Sequence, residues 1–445
     1  MKEMKELRGE RPLYFVGIGG AGMYPLARLA LSLGYTVLGC DRAESENLRR
    51  LRRLGVSVEH EHEQIALPCA AAVVYTLAAP PSHPILKEAG ARDLPIITRT
   101  ELLGYLSSRF ARCATVAGTH GKSSTVGLCT SVLKAAGLRP TVLCGADLTA
   151  RDGGFLEGDK DLLLLEACEY KSAFLSLAPT HALALGADYE HPDCFRDEEA
   201  VKRAFQSYLR LPSVKERVTP VGFCEDGVTF GEGGLFHKSD TRVEDGRASF
   251  ALYRGKNHMG HVRLSVLGEY QAENAVAAAA LCHTLGVSDE AIIKGLSSFS
   301  GIGGRMELRG CLCGAPVYLD YAHHPVELAA AIRCASSLGK KVVCVFEGHT
   351  YSRVRAFEKD FARVLSVPYR TGILPIFPAR EVNTLGMSGE KMARDAQADF
   401  LPNYHSAAEY LEKYASPDTV LLVVGAGGVG KVLSFLTLTA LAALD

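Results

Sequence analysis

The stretch Ala117-Gly118-Thr119-His120-Gly121-Lys122-Ser123-Ser124-Thr125 restricts this chain more than any other part of its sequence. It follows Cys113-Ala114-Thr115-Val116, which reads as the end of a strand. It precedes Val126-Gly127-Leu128-Cys129-Thr130-Ser131-Val132-Leu133, whose apolar spacing suits a helix laid on a sheet. Strand, glycine turn, Gly-Lys-Ser and helix together make a phosphate cradle. Backbone N–H groups and the helix N-terminus face an anion, the lysine ammonium reaches the outer phosphates, and a hydroxyl can join a Mg2+ shell. Val116 stands where the pattern G-x-x-x-x-G-K-[ST] has its first glycine, so an ordinary strand-to-helix turn stays open as the alternative. The candidate nucleoside triphosphate residues are Gly118, Thr119, His120, Gly121, Lys122, Ser123 and Ser124.

The rest of the chain alternates between strand-like and helix-like segments, which predicts α/β architecture throughout. Its 445 residues suit about three domains. In the first, residues 1–108, strands are expected at 12–16, 36–40, 71–75 and 94–97, with helices at 23–33 and 100–106. The second, residues 109–303, starts at the phosphate strand and adds strands at 162–165 and 181–185. Residues 219–267 alternate apolar and polar side chains between turn glycines and predict hairpins or meandering strands, followed by helices at 271–285 and 289–298. The glycines of 299–305 predict a hinge before the third domain, residues 304–445, with strands at 317–320, 341–346, 371–376 and 419–424. The apolar run 432–444 is too short to span a bilayer and predicts a packed helix. A net charge of −1 offers no bulk attraction to nucleic acid or an anionic membrane, so anionic ligands need local groups. The 13 cysteines form no Cys-x-x-Cys pair, and the start of the chain does not read as a signal peptide; reduced thiols in the cytoplasm are expected.

Two G-x-G-x-x-G matches add nucleotide signals. Gly17-Ile18-Gly19-Gly20-Ala21-Gly22 lies between a strand and a helix, with Asp41 at the end of the next strand, the context of a dinucleotide fingerprint. On motif alone it favours a nicotinamide enzyme. Gly425-Ala426-Gly427-Gly428-Val429-Gly430 also follows a strand, but the chain ends 15 residues later, too soon for another strand to complete the unit. It reads as a packing turn, with a nucleotide contact as the alternative.

The order of several motifs resembles the Mur ligase family. They are Gly17 to Met23, Gly118 to Thr125, Glu166-Ala167-Cys168-Glu169-Tyr170, Arg305 after its glycines, Asp320-Tyr321-Ala322-His323-His324-Pro325, and Gly348-His349-Thr350-Tyr351-Ser352-Arg353. The resemblance covers nearly the whole chain. It implies three α/β domains, each with a mostly parallel sheet flanked by helices: Rossmann-like first and last, phosphate-loop ATPase-like in the centre. It also implies an ATP- and Mg2+-dependent ligase that joins L-alanine to UDP-N-acetylmuramate in peptidoglycan precursor synthesis, with the C-terminal domain closing over ATP and binding the amino acid. The first glycine motif would then seat the UDP-sugar pyrophosphate, through Gly17, Gly19, Gly20, Gly22, Met23 and Asp41. Lys122, Glu166, His191 and Arg305 would be catalytic. Ser123, Glu166 and His191 would hold Mg2+, although that ion prefers oxygen to imidazole. Asn274, Arg305 and Asp320 would complete the ATP contacts, and His349, Tyr351 and Arg353 would meet the amino acid and acyl phosphate.

Three positions depart from the family pattern: Gly186 where asparagine is usual, Glu190 for aspartate, and Gln271 for asparagine. A displacement of about 1 Å in a catalytic site can cost roughly 10²-fold, so these changes bear on rate. A ligase for another amino acid or a peptide, a weakly active or non-catalytic UDP-sugar-binding homologue, and a nicotinamide oxidoreductase remain as other readings. The sequence does not rank oligomeric states.

Overall fold

The computed structural model describes residues 11–62, 65–76, 78–148, 153–189 and 194–440. The chain forms two compact units, one of Met1–Ala187, Lys202–Phe230 and Ala277–Ile292, the other of Asp188–Val201, Gly231–Val276 and Ile293–Asp445.

The first unit opens with five strands: β1 (Leu13–Val16), β2 (Val37–Asp41), β3 (Ser57–His60), β4 (Ala72–Tyr75) and β5 (Ile96–Thr98). They run in the order β3-β2-β1-β4-β5, and every pairing is parallel. The four residues of the central β1 are all buried, the uniform burial of a strand covered on both faces. The helix Arg99–Ser107 closes this layer with a capping box from Thr98 and Glu101, which satisfies the first orphan N–H groups.

The same unit continues with β6 (Arg112–Ala117), β7 (Pro140–Leu143), β8 (Phe155–Leu156), β9 (Asp159–Glu166), β10 (His181–Ala184), β11 (Glu216–Pro220) and β12 (Val228–Phe230). Their order is β12-β11-β10-β6-β9-β7-β8, parallel except for the β7–β8 edge. Val116 is in register with Glu166, and Ala117 with Ala184, so β6, β9 and β10 end side by side at the phosphate turn. Ligands of open α/β sheets gather at such carboxyl ends.

In the second unit β13 (Phe236–Glu244), β14 (Arg247–Arg254) and β15 (Asn257–Leu267) pair antiparallel. They realise the hairpins expected there, whereas β11 and β12 earlier in that stretch pair parallel. A further sheet holds β16 (Glu307–Leu312), β17 (Ala315–Asp320), β18 (Lys341–Phe346), β19 (Arg370–Ile373), β20 (Asp399–Phe400) and β21 (Thr419–Val424). Its order is β16-β17-β21-β18-β19-β20, antiparallel only at β16–β17.

One expected element is corrected. The apolar run after Val432 does not continue as a helix. A 3-10 turn covers Val429–Phe435, and Thr439 then pairs with Cys311 through N–H···O bonds of 2.9 Å in both directions. The edge of β16 offers backbone partners, and Thr437 and Thr439 suit extended geometry better than helix. Residues 441–445 lie outside the described ones. Among the described residues no helix is long and apolar enough to cross a membrane.

Candidate active site

At the end of β6 the chain turns through Gly118 and Gly121 into the helix Lys122–Ala135. Gly121 is the N-cap in the left-handed region (φ 80°), which exposes the first N–H groups of the helix without a side-chain cap. Gly118 passes close to β10: a Cβ there would lie 2.7 Å from that of Leu185. Lys122 Nζ folds back over the turn, donating to the carbonyls of Gly118 (2.6 Å) and Thr119 (3.2 Å) and to Glu169 Oε1 (3.0 Å). Glu169 is almost wholly buried, so this ion pair holds a cation against the loop in a low-dielectric setting. Thr119, Ser123 and Ser124 are buried around the turn.

Glu166, at the end of β9, faces the same turn. Its Oε2 accepts from Ser123 Oγ (2.8 Å), the Gly145 N–H (2.7 Å) and Cys144 Sγ (3.5 Å). Three donors on one oxygen fix the carboxylate plane, and a Cβ on Gly145 would crowd it at 3.0 Å. Ser123 donates its proton here, which leaves its lone pairs available. A hydroxyl and a carboxylate are the hard oxygen donors that Mg2+ takes, so these residues fit that ion. Gly145, Cys144 and the Glu169 ion pair are not among the residues that the sequence singles out, because they meet the turn only through the pairing of β7, β9 and β6. His191 and Glu190 lie outside the described residues. Gly186 is described: its carbonyl accepts from the Thr119 N–H (3.3 Å), and a Cβ built on it meets nothing within 4 Å.

The first glycine motif forms the turn from β1 into the helix Met23–Ser32, whose N-cap, Gly22, brings no side-chain cap. Asp41 shapes that turn: its Oδ2 accepts from the Gly19 N–H (2.8 Å) and its Oδ1 from the Ala43 N–H (3.3 Å). Asn47 Nδ2 adds a bond to the Gly19 carbonyl (3.0 Å). Met23 is buried in the core, so it offers the turn its backbone. Nearby, Cys40, Glu61 and His83 bring ligand-type atoms together. His83 Nδ1 accepts from the Ile85 N–H (3.2 Å), so Nε2 carries the proton and faces Glu61 Oε1 at 3.1 Å. Glu61 also takes Arg42 Nε (2.7 Å), and burial pushes the Cys40 thiol up to about 11. Arg42 and His83 thus approach Glu61 from two sides.

In the second unit Asp320 ends β17, with Oδ2 accepting from the Met306 N–H (2.7 Å) and Oδ1 from the Ala322 N–H (2.8 Å). Burial raises its pKa, opposed by the nearby Arg305 charge and those two N–H groups. Arg305 stacks on the Tyr321 ring at 4.8 Å. Asn274 is buried, and its Nδ2 donates to Gln271 Oε1 (3.0 Å), so the substituted Gln271 orients it. His324 is the N-cap of the helix Pro325–Ser336 and packs edge-on against Phe357. It is a structural group.

After β18, His349 stacks on Phe377 (5.6 Å between centroids) and lies 6.0 Å from the ring of His323. Its Nδ1 accepts from the buried Arg353 Nη1 (3.3 Å). Tyr351 leans onto the core of this unit. Burial, then the Arg353 charge, lowers the pKa of His349 to about 4, and burial lowers that of His323 to about 3. Both imidazoles are neutral near pH 7. Because the folded value of His349 lies below its ordinary 6.5, unfolding takes up a proton between those values. Its contribution is complete above pH 6.5 and is lost progressively as pH falls to about 4. The slope is at most about 1.4 kcal/mol per pH unit, and less for a ring still partly solvated. Denaturant midpoints measured between neutral and acid pH should therefore fall less steeply in His349→Gln than in the wild type; equal slopes would refute this.

A sequence profile described as Mur ligase family, catalytic domain, matches residues 12–111, and one described as Mur ligase, glutamate ligase domain, matches residues 304–427. A UDP-N-acetylmuramate–L-alanine ligase of Acetivibrio thermocellus is 33% identical over 94% of both chains. This chain belongs to the Mur ligase family. A ligase of the same name from Aquifex aeolicus is also 33% identical, over 95% of this chain and 96% of its own. Among solved structures, a UDP-N-acetylmuramate-alanine ligase from Thermotoga maritima aligns over 96% of this chain and 98% of its own, with a TM-score of 0.82 at 22% identity. The three-domain Mur ligase fold and its mostly parallel sheets are thus those expected from the sequence. Membership also removes the nicotinamide reading of Gly17 to Gly22.

Proposed function

We propose that this Mur ligase joins L-alanine to the lactyl carboxylate of UDP-N-acetylmuramate with cleavage of ATP to ADP and phosphate, as a cytoplasmic step of peptidoglycan precursor synthesis. The observation that carries this reading is the phosphate turn with Lys122, Ser123 and Glu166 drawn together, in a chain one-third identical to ligases of that name. A carboxylate oxygen of the sugar attacks the γ-phosphorus, ADP leaves, and an acyl phosphate forms. The unprotonated amine of L-alanine then attacks the carbonyl carbon, and the tetrahedral species expels phosphate. Anions meet in both steps, so positive charge and placement are what the protein must supply. Lys122 and the helix N-terminus neutralise the phosphates, and Ser123 and Glu166 hold Mg2+. Bound there, the ion supplies charge neutralisation. Arg305, Asp320 and Asn274 are assigned to the nucleotide, Gly17 to Met23 with Asp41 to the UDP-sugar, and His349, Tyr351 and Arg353 to the amino acid.

The test is phosphate release across UDP-muramyl precursors and amino acids. Release is expected only with ATP, Mg2+, UDP-N-acetylmuramate and L-alanine all present. Release driven by a peptide or another amino acid would replace the assigned amine, and UDP-sugar binding without release would point to a non-catalytic homologue.

A further inference from the structure

The second glycine motif, Gly425 to Gly430, has the form of an anion cradle but no place in the reaction. Its turn holds an anion from its own chain. Glu347, at the end of β18 and only 3% exposed, sends its carboxylate into the turn. Its Oε2 accepts from the Val429 N–H (3.0 Å) and Oε1 from Tyr404 Oη (2.7 Å). Burial raises its pKa, opposed by Tyr404 and by the Gly428 and Val429 N–H groups. The glycines are needed for the fit. A Cβ on Gly427 would lie 2.4 Å from Glu347 Oε2, and one on Gly428 would lie 2.2 Å from Tyr404 Oη.

The residues that follow Glu347 are those assigned to the amino acid. His349 lies two positions on, and its ring stacks on Phe377. The same Gly427 Cβ would stand 2.5 Å from Phe377 Cγ, so the cradle touches both the start of the loop and the ring beneath His349. Phe377 N–H bonds the Gly348 carbonyl (2.8 Å), and Thr350 N–H bonds that of Phe377 (2.9 Å). Thr350 carries a left-handed φ of 63°, a strained backbone that persists only where its surroundings hold it. Glu381 then fixes the start of the Arg353 helix through the Ser352 N–H (2.9 Å).

We propose that the Glu347 carboxylate seated in the Gly425–Gly430 turn fixes the 348–353 loop in the shape that receives the incoming amino acid, making Glu347 and Gly427 positioning residues for that substrate. The proposal rests on the functional reading above for the identity of the substrate. Glutamine at 347 removes the charge that the turn holds, and keeps both contacts only if its NH2 turns to Tyr404 Oη and that hydroxyl reverses to accept. Alanine at 427 displaces both the carboxylate and Phe377.

The test measures hydrogen exchange of the 348–354 amides and the KM values of Glu347→Gln, Gly427→Ala and the milder Tyr404→Phe. Exchange should quicken, and the KM for L-alanine should rise by at least about tenfold in Glu347→Gln while that for ATP moves less than threefold. Tyr404→Phe should show a smaller change in the same direction. Unchanged exchange would overturn the proposal, as would faster exchange with an unaltered KM for L-alanine. If Gly427→Ala does not fold, Glu347→Gln and Tyr404→Phe decide alone. A wild type without alanine-dependent phosphate release would count against the assigned reaction instead. The clamp would then stand or fall on exchange.

Discussion

Lys122→Ala is expected to reduce phosphate release by on the order of 10³-fold, the scale of removing a positioned charge from an anionic transition state. The argument starts from geometry. Lys122 Nζ is tied to the Gly118 and Thr119 carbonyls and to Glu169, so its charge is held at the turn rather than carried on a mobile stem. A second effect must be separated from the first. Truncation leaves the buried Glu169 carboxylate without its cation, and breaking a buried pair typically destabilises by about 3–5 kcal/mol. Lys122→Ala with Glu169→Gln removes that buried charge as well. The double variant should recover much of the lost thermal stability while remaining inactive. The measurements are phosphate release and melting temperature on both proteins. Release within tenfold of wild type in Lys122→Ala would sink the assignment.

Much of this site was legible because its parts are local. The phosphate turn, its strand and its helix lie within one short segment, and β18 and β21 are continuous apolar runs whose ends match those expected. The helix Glu46–Arg53 gave no such signal, since only Leu48 and Leu51 of its eight residues are buried and the rest are charged or polar. Contacts between distant segments were hidden for another reason. Glu169 reaches Lys122 because β9 ends beside the phosphate turn, with Val116 in register with Glu166, a neighbourhood that no hydrophobic period encodes. Gly145 on Glu166 and Glu347 in the second glycine turn likewise depend on sheet order. The occupant of that turn, the Glu347 carboxylate, comes from a strand more than 70 residues earlier, which no local pattern announces.

Glu166→Gln is the second large expected effect, and it isolates charge from shape. The substitution changes one atom and almost no volume. In the wild type Oε2 takes donors from Ser123, Gly145 and Cys144, so any replacement must keep an acceptor on that side. Glutamine satisfies this in only one orientation, with its oxygen toward the three donors. Its NH2 group then occupies the position of Oε1, where a cation needs an oxygen. The flipped amide would set NH2 against the Gly145 N–H, two donors at a 2.7 Å contact, at the cost of an unmet hydrogen bond. Either way the fold is kept and the cation loses an anionic ligand. The Mg2+ concentration for half-maximal phosphate release should rise by at least about tenfold, and the rate at saturating Mg2+ should fall by about 10²-fold. Glu166→Asp keeps the charge but withdraws it by one methylene, so it should retain more Mg2+ affinity than glutamine and lose rate through misplacement. A Mg2+ saturation curve unchanged in Glu166→Gln would show that this carboxylate serves only to hold Ser123 and Gly145 in place.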